Sequence, residues 1–156
     1  MIRVDIPGSG MLEIEHFVCD FSGTLSEDGF MLPGLKDKLN ELSRKLRIHV
    51  LTSDTFGRAR EELAGVSCQV HVLEGEGHTE QKENYVKNLG ADHVVAFGNG
   101  NNDERMLRAV KIGIAVCLKE GCSRKAFYAA MIFVMSPVDA IDLLLNPKRL
   151  IATLRV

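Results

Sequence analysis

Asp20 is the residue of this sequence whose type and position best suit covalent chemistry. It follows the apolar run 16–19 and begins the small, flexible segment 20–25. A buried strand that ends in one carboxylate presents a nucleophile at the edge where open α/β sheets hold their ligands. Asp, Ser and Gly are also favoured in ordinary turns, so this segment needs support from the rest of the chain.

A second apolar run, 48–51, ends in the hydroxyls of Thr52 and Ser53. A hydroxyl in this position can donate a hydrogen bond to a phosphoryl oxygen. The same segment also suits a helix N-terminus, with Asp54 or Thr55 accepting the free amides of the next helix. The two predictions are compatible, because such a cap would fix the loop that carries Thr52.

A helix with a polar start at 79 is predicted to end before Gly90. It carries Lys82, and an ammonium group there could neutralise charge on the oxygens of a phosphoryl-transfer transition state. Lys87 is the alternative on the same helix, and a lysine on an amphipathic helix is commonly only solvated.

The most specific segment is 94–103, where an apolar strand enters a glycine-rich loop that leads into a helix. The loop carries Asn99 and Asp103, whose oxygens suit a hard divalent cation. A dinucleotide fingerprint, Gly-x-Gly-x-x-Gly, is the competing interpretation. We reject it because Asp103 occupies the third glycine position and would repel a diphosphate.

In chain order, these four segments resemble the four motifs of the haloacid dehalogenase-like superfamily of aspartate-nucleophile phosphotransferases. Residues 20–25 resemble the first motif, Asp-x-Asp-Gly-Thr, with Ser22 in place of the second acid. Residues 98–103 resemble the fourth, Gly-Asp-Gly-x-Asn-Asp, with Asn99 in place of an aspartate. The whole chain is similar to the capless, soluble P-type ATPase-like group of that superfamily.

The resemblance implies a magnesium-dependent phosphohydrolase in which Asp20 forms an aspartyl-phosphate that water then cleaves. Its implied catalytic residues are Asp20, Thr52 and Lys82; its substrate-binding residues are Ser22, Gly23, Thr24 and Ser53; and its Mg²⁺ ligands are Asp20, the backbone carbonyl of Ser22, and Asn99 or Asp103. The implied substrate is a phosphorylated small molecule or a phosphoprotein.

Two departures from the family motifs limit this prediction. The Ser22 hydroxyl is too weak an acid and base to assist the leaving group and the water, so alkyl phosphates should react slowly. Asn99 removes one negative charge from the metal ligands, which should lower the affinity for magnesium. The alternative is a non-catalytic or regulatory module that binds a phosphorylated ligand in the same pocket.

Composition favours one cytoplasmic domain over residues 1–156, with 46% hydrophobic and 26% charged residues and a net charge of −2. No apolar run approaches the roughly 18 residues of a membrane span, so no membrane contact is expected and an ion pump is excluded. The start of the chain lacks the apolar core of a signal peptide. No basic stripe indicates nucleic acid. The four cysteines show no paired metal-ligand spacing, and the five histidines receive no role.

Alternation of short apolar runs with helical segments predicts an α/β fold, a doubly wound parallel sheet with helices on both faces. The predicted strands are 16–20, 47–52, 68–73, 93–97, 111–117 and 131–135, and the predicted helices are 35–46, 57–64, 79–89, 102–110, 122–130 and 137–145. Residues 4–15 should form an N-terminal hairpin, and 26–31 a small flap that turns at Asp28-Gly29.

The gaps between the motifs leave no room for a cap domain, so the pocket should be open. Phe30 and Met31 of the flap would either contact a partner or pack on their own domain. Because capless relatives often cover the site with a neighbouring subunit, we expect a homo-oligomer.

Overall fold

The computed structural model describes all 156 residues and contains ten strands and seven α-helices. The strands are β1 (Ile2–Ile6), β2 (Gly10–Ile14), β3 (His16–Cys19), β4 (Ser26–Glu27), β5 (Phe30–Met31), β6 (Arg47–Thr52), β7 (Gln69–Val72), β8 (Val94–Gly98), β9 (Ile112–Val116) and β10 (Ile132–Val134). The helices are α1 (Leu35–Ser43), α2 (Ala59–Glu62), α3 (His78–Leu89), α4 (Glu104–Ala109), α5 (Arg124–Ala129), α6 (Pro137–Leu145) and α7 (Pro147–Leu154).

Six of the strands form one parallel sheet in the order β10-β9-β8-β3-β6-β7. Strand β3 lies inside this sheet and pairs with β6 on one side and β8 on the other. The chain first winds outward through β6 to β7 and then returns to β8. The carboxyl ends of β3 and β8 therefore meet at the switch point of the topology, where open sheets of this kind bind ligands.

Apolar side chains cover both faces of the sheet, which explains why its inner strands are continuous hydrophobic runs. One face packs against the N-terminal hairpin and helices α1, α6 and α7. The other packs against α3, α4 and α5. Phe17 and Val18 show the alternation along β3: Phe17 meets Phe97 edge-on in the first core, whereas Val18 lies in the second.

The flap is a β-hairpin in which β4 and β5 are joined by a two-residue turn. Asp28 and Gly29, its central residues, have φ angles of 53° and 85°, as a type I′ turn requires. Between β3 and β6 the chain forms only this flap and α1, so no cap domain is present. None of the helices is long and apolar enough to cross a membrane.

The doubly wound fold, the N-terminal hairpin and the flap confirm the sequence predictions, and three details differ. The helix expected over 57–64 is only the single turn of α2, since glycines with positive φ flank it at positions 57 and 65. The helix expected from 102 begins as a 3₁₀ turn, Asn101–Asp103, before α4. Helix α7 was not predicted; it starts at Pro147 and buries Leu150.

Candidate active site

Three charged side chains meet in the interior at the carboxyl edge of the sheet. Lys82 Nζ donates hydrogen bonds to Asp20 Oδ1 at 2.9 Å and to Asp103 Oδ1 at 2.7 Å. Lys82 and Asp103 are fully buried, and Asp20 is 8% exposed. A buried ammonium group is tolerated only when carboxylates pair with it, so these three residues form one electrostatic unit.

Asp20 is buried at the end of β3 and is not exposed at the tip of the strand. Its backbone continues the sheet, since its amide donates to the carbonyl of Phe97 at 3.1 Å, and its side chain turns inward to Lys82. Burial raises the pKa of Asp20 to about 6, although the charge of Lys82 acts in the opposite direction. Asp20 is still mainly ionised at neutral pH.

Lys82, and not Lys87, is the lysine of α3 that lies beside Asp20. Burial by itself lowers the pKa of Lys82, but the charges and hydrogen bonds of Asp20 and Asp103 raise it above its ordinary value. The ammonium group is therefore permanently charged. Lys87 is on the exposed side of the same helix, where it pairs with Glu83 at 2.7 Å.

Asp103 organises the loop that follows β8. Its Oδ2 accepts the amides of Asn99 and Gly100, each at 3.0 Å, while Oδ1 accepts from Lys82. A Cβ at Gly98 would lie 2.5 Å from Asp103 Cγ, so only glycine fits beneath this carboxylate. Both oxygens of Asp103 are thus occupied by protein donors.

Asn99 is fixed on the other side of the loop. Its Oδ1 accepts from the Thr24 hydroxyl at 3.2 Å, and its Nδ2 donates to the carbonyl of Gly121 at 3.1 Å. Gly23, with a φ of 75°, packs directly on it: a Cβ there would lie 2.4 Å from Asn99 Nδ2. Segment 20–25 and the loop after β8 are therefore in close contact, as the order of the motifs predicts.

The remaining predicted residues differ in their surroundings. Thr52 is buried, and its Oγ1 accepts the amide of Asp54 at 2.9 Å. Asp54 Oδ1 accepts the amide of Ala59, the first residue of α2, at 2.9 Å, so it satisfies a free amide of this helix as predicted, although the N-cap position itself is Arg58. Ser53 is exposed and its hydroxyl lies 3.1 Å from Thr55 Oγ1.

The residues at this edge suit a hard divalent cation, although no group of three His, Cys, Asp or Glu side chains is present. Two buried carboxylates share one ammonium group, so the unit of Asp20, Lys82 and Asp103 carries one uncompensated negative charge. The Ser22 hydroxyl is buried without a hydrogen-bond partner. Oxygen atoms from a carboxylate, a carbonyl and an amide are ligands that Mg²⁺ accepts.

The site does not open into a cavity at the protein surface. None of the three cavities at the surface includes Asp20, and the largest, about 480 Å³, lies at the amino ends of β3, β6 and β7. This shape agrees with the absence of a cap domain.

Sequence reasoning missed two features, one beside the site and one further along the sheet. Glu120, in the loop after β9, reaches back to Gly23 and to the flap. Beneath α3, His16 Nδ1 lies 3.0 Å from His49 Nε2, and His49 Nδ1 lies 2.9 Å from the Tyr85 hydroxyl. His16 and His49 have the same side-chain direction on adjacent strands, a signal visible only once the strand register is known.

Comparison with known proteins supports the class of fold described above. A family model for haloacid dehalogenase-like hydrolases matches residues 80–120. An uncharacterized protein of Methanocaldococcus jannaschii is 47% identical over 62 residues, which make up 40% of this chain and 67% of that protein.

Two solved structures share the fold. One is the 3-deoxy-D-manno-octulosonate 8-phosphate phosphatase of Moraxella catarrhalis in complex with magnesium, phosphate and KDO, with a TM-score of 0.69 and 19% identity over 91% of this chain and 94% of that one. The other is the catalytic domain of the CPx-ATPase CopB-B, with a TM-score of 0.60 and 22% identity over 74% of this chain and 46% of that one.

The parallel α/β sheet and the buried Asp-Lys-Asp unit at its switch point define a Rossmann-like hydrolase domain without a cap. Residues 80–120 match the haloacid dehalogenase-like hydrolase family, and the fold of the chain is the one seen in solved hydrolases of that superfamily.

Proposed function

We propose that this protein is a magnesium-dependent phosphohydrolase that works as one domain, residues 1–156, through an aspartyl-phosphate on Asp20. The main support for this proposal is that Lys82 pairs with both Asp20 and Asp103 at the switch point of the sheet. This arrangement holds an ionised carboxylate next to a fixed cation, as nucleophilic attack on a phosphate ester requires.

In the first step, an Asp20 oxygen attacks phosphorus in line, the bond from phosphorus to the leaving-group oxygen breaks, and an acyl phosphate forms. In the second step, water attacks the same phosphorus and releases Asp20 as a carboxylate. The Lys82 ammonium and the Thr52 hydroxyl hold the phosphoryl oxygens in both steps. Ser22, Gly23, Thr24 and Ser53 are the proposed residues that surround the phosphate.

The proposed magnesium ligands are Asp20, the backbone carbonyl of Ser22, and Asn99. Asn99 is preferred to Asp103 because its oxygen accepts one hydrogen bond, from the Thr24 hydroxyl, whereas the two Asp103 oxygens accept Lys82 and two backbone amides. A bound cation would supply positive charge to the phosphoryl oxygens. The Moraxella catarrhalis phosphatase, which binds magnesium and phosphate on the same fold, supports this assignment.

The proposed substrate is a phosphorylated small molecule or a phosphoprotein with a good leaving group. General acid–base catalysis is typically worth ~10² to 10⁴ in rate, and Ser22 cannot provide it. At about 1.4 kcal/mol per tenfold, its loss costs about 3–5 kcal/mol of transition-state stabilisation. Aryl and acyl phosphates should therefore react faster than alkyl phosphates.

Covalent chemistry at Asp20 tests the proposal. The protein with magnesium and beryllofluoride should form an adduct visible by fluorine NMR, and acid-quenched turnover of an acyl phosphate should place a phosphate on Asp20 in peptide mass spectrometry. Asp20→Asn should show neither signal. Absence of both signals in the parent protein would refute an aspartyl-phosphate mechanism.

A second candidate function is a phospho-ligand-binding module without turnover. It is favoured by the neutral side chains at positions 22 and 99 and by the two hydrogen bonds that occupy the Asn99 amide. Tight binding of a phosphate ester, with no turnover across a panel of phosphorylated metabolites and magnesium, would establish the module in place of the enzyme.

The absence of a cap domain leads us to propose a homo-oligomer in which a second copy covers the site. Met31 is half-buried against its own core, whereas Phe30 is 55% exposed beneath the Arg58 guanidinium. A further exposed apolar group, Phe127, Tyr128, Met131, Phe133 and Met135, belongs to α5, β10 and the residues beside β10. A monomer in light scattering at micromolar concentration would contradict this proposal.

A further inference from the structure

A chain of hydrogen bonds joins helix α3 to the sheet on the side away from Asp103. His16 Nδ1 lies 3.0 Å from His49 Nε2, and His49 Nδ1 lies 2.9 Å from the Tyr85 hydroxyl. His16 and His49 are buried on β3 and β6, and Tyr85 belongs to α3. A neutral imidazole has one donor and one acceptor nitrogen, so His49 uses both of its nitrogens in this chain.

Tyr85 lies on the same face of α3 as Lys82. The two residues are three positions apart, which makes their side chains neighbours on one face of the helix. Lys82 Nζ contacts Asp20 Oδ1 at 2.9 Å and Asp103 Oδ1 at 2.7 Å, so its reach depends on where α3 lies on the sheet. A contact that fixes Tyr85 therefore also fixes the position of Lys82.

Other contacts of α3 lie on the β8 side of the sheet. The helix packs against α4 and the loop after β8, and Glu83 pairs with Arg105 of α4 at 3.6 Å. Tyr85 reaches the opposite way, to His49 on β6 and toward His71 on β7, whose ring centroid lies 5.6 Å from that of Tyr85. The helix is thus held from both sides of β3.

We propose that Tyr85 is a positioning residue: through His49 it holds α3 where Lys82 reaches Asp20 as well as Asp103. The inference rests on the proposed phosphohydrolase function and deepens it. Without the Tyr85 hydroxyl, the contacts on the β8 side prevail, so Lys82 stays with Asp103 and moves away from Asp20. A displacement of about 1 Å is sufficient to carry the contact between Lys82 and Asp20 beyond hydrogen-bond range.

This displacement would change a property of Asp20 that a simple loss of stability would not. Burial raises the pKa of Asp20, and the charge of Lys82 acts against that increase. With the ammonium group further away, the pKa of Asp20 should rise above its value in the parent protein. A purely structural role of Tyr85 would lower the free energy of unfolding and leave this pKa unchanged.

Tyr85→Phe tests the inference, because it keeps the aromatic ring and removes only the hydroxyl. Tyr128→Phe is the matched control, since it makes the same change at the other tyrosine, which is exposed. Carbon-13 NMR of the Asp20 carboxyl group, without divalent cations, should show a raised pKa in Tyr85→Phe and the parent's pKa in Tyr128→Phe. With an aryl phosphate, kcat of Tyr85→Phe should fall about tenfold or more, because small misplacements of catalytic groups are costly.

His49→Leu removes the same hydrogen bond from the other partner. The double variant with Tyr85→Phe should raise the pKa of Asp20 no further than the stronger single variant, since both residues act through one contact. Additive effects, or a pKa of Asp20 that is equal in Tyr85→Phe and Tyr128→Phe, would overturn the positioning role. A parent protein without turnover, in which Tyr85→Phe still raises this pKa, would support the positioning role and contradict the phosphohydrolase.

Discussion

Lys82 lies closer to Asp103, at 2.7 Å, than to Asp20, at 2.9 Å, and Asp103 is the more deeply buried of the two carboxylates. Asp103 also accepts two backbone amides, so it anchors the lysine to the loop after β8. The ammonium group is therefore held in place by one carboxylate while it faces the other. This arrangement leaves Asp20 free to change its bonding during a reaction without releasing Lys82.

Removing the ammonium group should be costly for the fold. Lys82→Met leaves two buried carboxylates without a partner, and breaking such a unit costs about 3–5 kcal/mol. Lys87→Met, on the exposed side of the same helix, should change stability by no more than about 0.5 kcal/mol. Urea denaturation at pH 7 measures both, and equal stability of the two variants would contradict a buried ion-paired role for Lys82.

Asp20→Asn should abolish turnover without unfolding the protein, because Lys82 keeps its bond to Asp103. The variant should also change the pH dependence of stability. Burial raises the pKa of Asp20 to about 6 from an ordinary value of 3.8, so between pH 4 and 6 the folded state keeps a proton that the unfolded state has lost. The contribution of Asp20 to stability therefore falls as pH rises through this window.

The test is the difference in unfolding free energy between Asp20→Asn and the parent, measured without divalent cations. This difference should shift in favour of the variant from pH 4 to 6 and stay constant above pH 7. A difference that is independent of pH would contradict the raised pKa of Asp20. Turnover retained by the variant would show that Asp20 is not the nucleophile.

His49 should have the opposite effect on stability. Burial, together with the nearby His16 and Arg47, lowers the pKa of His49 to about 4 from 6.5. As pH falls from 6.5 to 4, the unfolded chain takes up a proton on His49 before the folded state does. The stabilising contribution of His49 is therefore fully present above pH 6.5 and decreases by about 3 kcal/mol at most as the pH falls.

His49→Gln keeps a polar side chain in the chain of hydrogen bonds and cannot titrate. The stability of the parent relative to this variant should therefore rise between pH 4 and 6.5. Proton NMR of the imidazole reports the same property directly, and a His49 ring that titrates near 6.5 would contradict the prediction.

Gly23→Ala should disturb the site through a steric collision. Its φ of 75° already disfavours alanine, and the added Cβ would lie 2.4 Å from Asn99 Nδ2. Gly65→Ala is the matched control, because its φ of 85° imposes the same backbone strain with open space around it. Thermal denaturation should show Gly23→Ala to be about 1–3 kcal/mol less stable than the control. Equal stability would mean that Asn99 moves freely.

Restoring acids at the two departures from the family motifs should raise activity. Ser22→Asp should speed hydrolysis of an aryl phosphate. The increase in rate should be smaller than the ~10² lower bound for general acid–base catalysis if Asn99 still limits occupancy by the metal. Combining it with Asn99→Asp should add more than the separate effects if both act at one metal-centred site. Single and double variants that stay as slow as the parent, in a parent that binds a phosphate ester tightly, would favour the binding module.

Much of the fold was predictable because each strand and helix carries its own local signal. The run before Asp20 and the run before Thr52 are buried on both faces, so they are uninterrupted apolar segments, and the Asp28-Gly29 pair identifies the flap turn. Helix α7 escaped prediction because it is short and follows α6 after a single residue, and its role depends on packing against the distant strand β1.

The site was predictable only where a motif contains the residue. Segment 20–25 and the loop after β8 meet as expected, since strands that end at one edge bring their loops together. The inward turn of Asp20 and the approach of Glu120 depend on tertiary contacts with residues about 60 to 100 positions away, for which the sequence carries no local pattern. The pairing of His16 with His49 likewise depends on strand register.

The strand order β10-β9-β8-β3-β6-β7 also bears on how the protein assembles as it is synthesised. Strands β6 and β7 join one edge of β3 in the order in which they emerge, and β8, β9 and β10 then join the opposite edge in the same way. No strand has to insert between two that have already paired, so the sheet can grow at its edges behind the ribosome. Asp20 emerges early, yet it acquires Asp103 as a neighbour only when the second half of the sheet forms. A nascent chain stalled before β8 would therefore hold Asp20 and Lys82 without Asp103, the carboxylate that anchors the lysine.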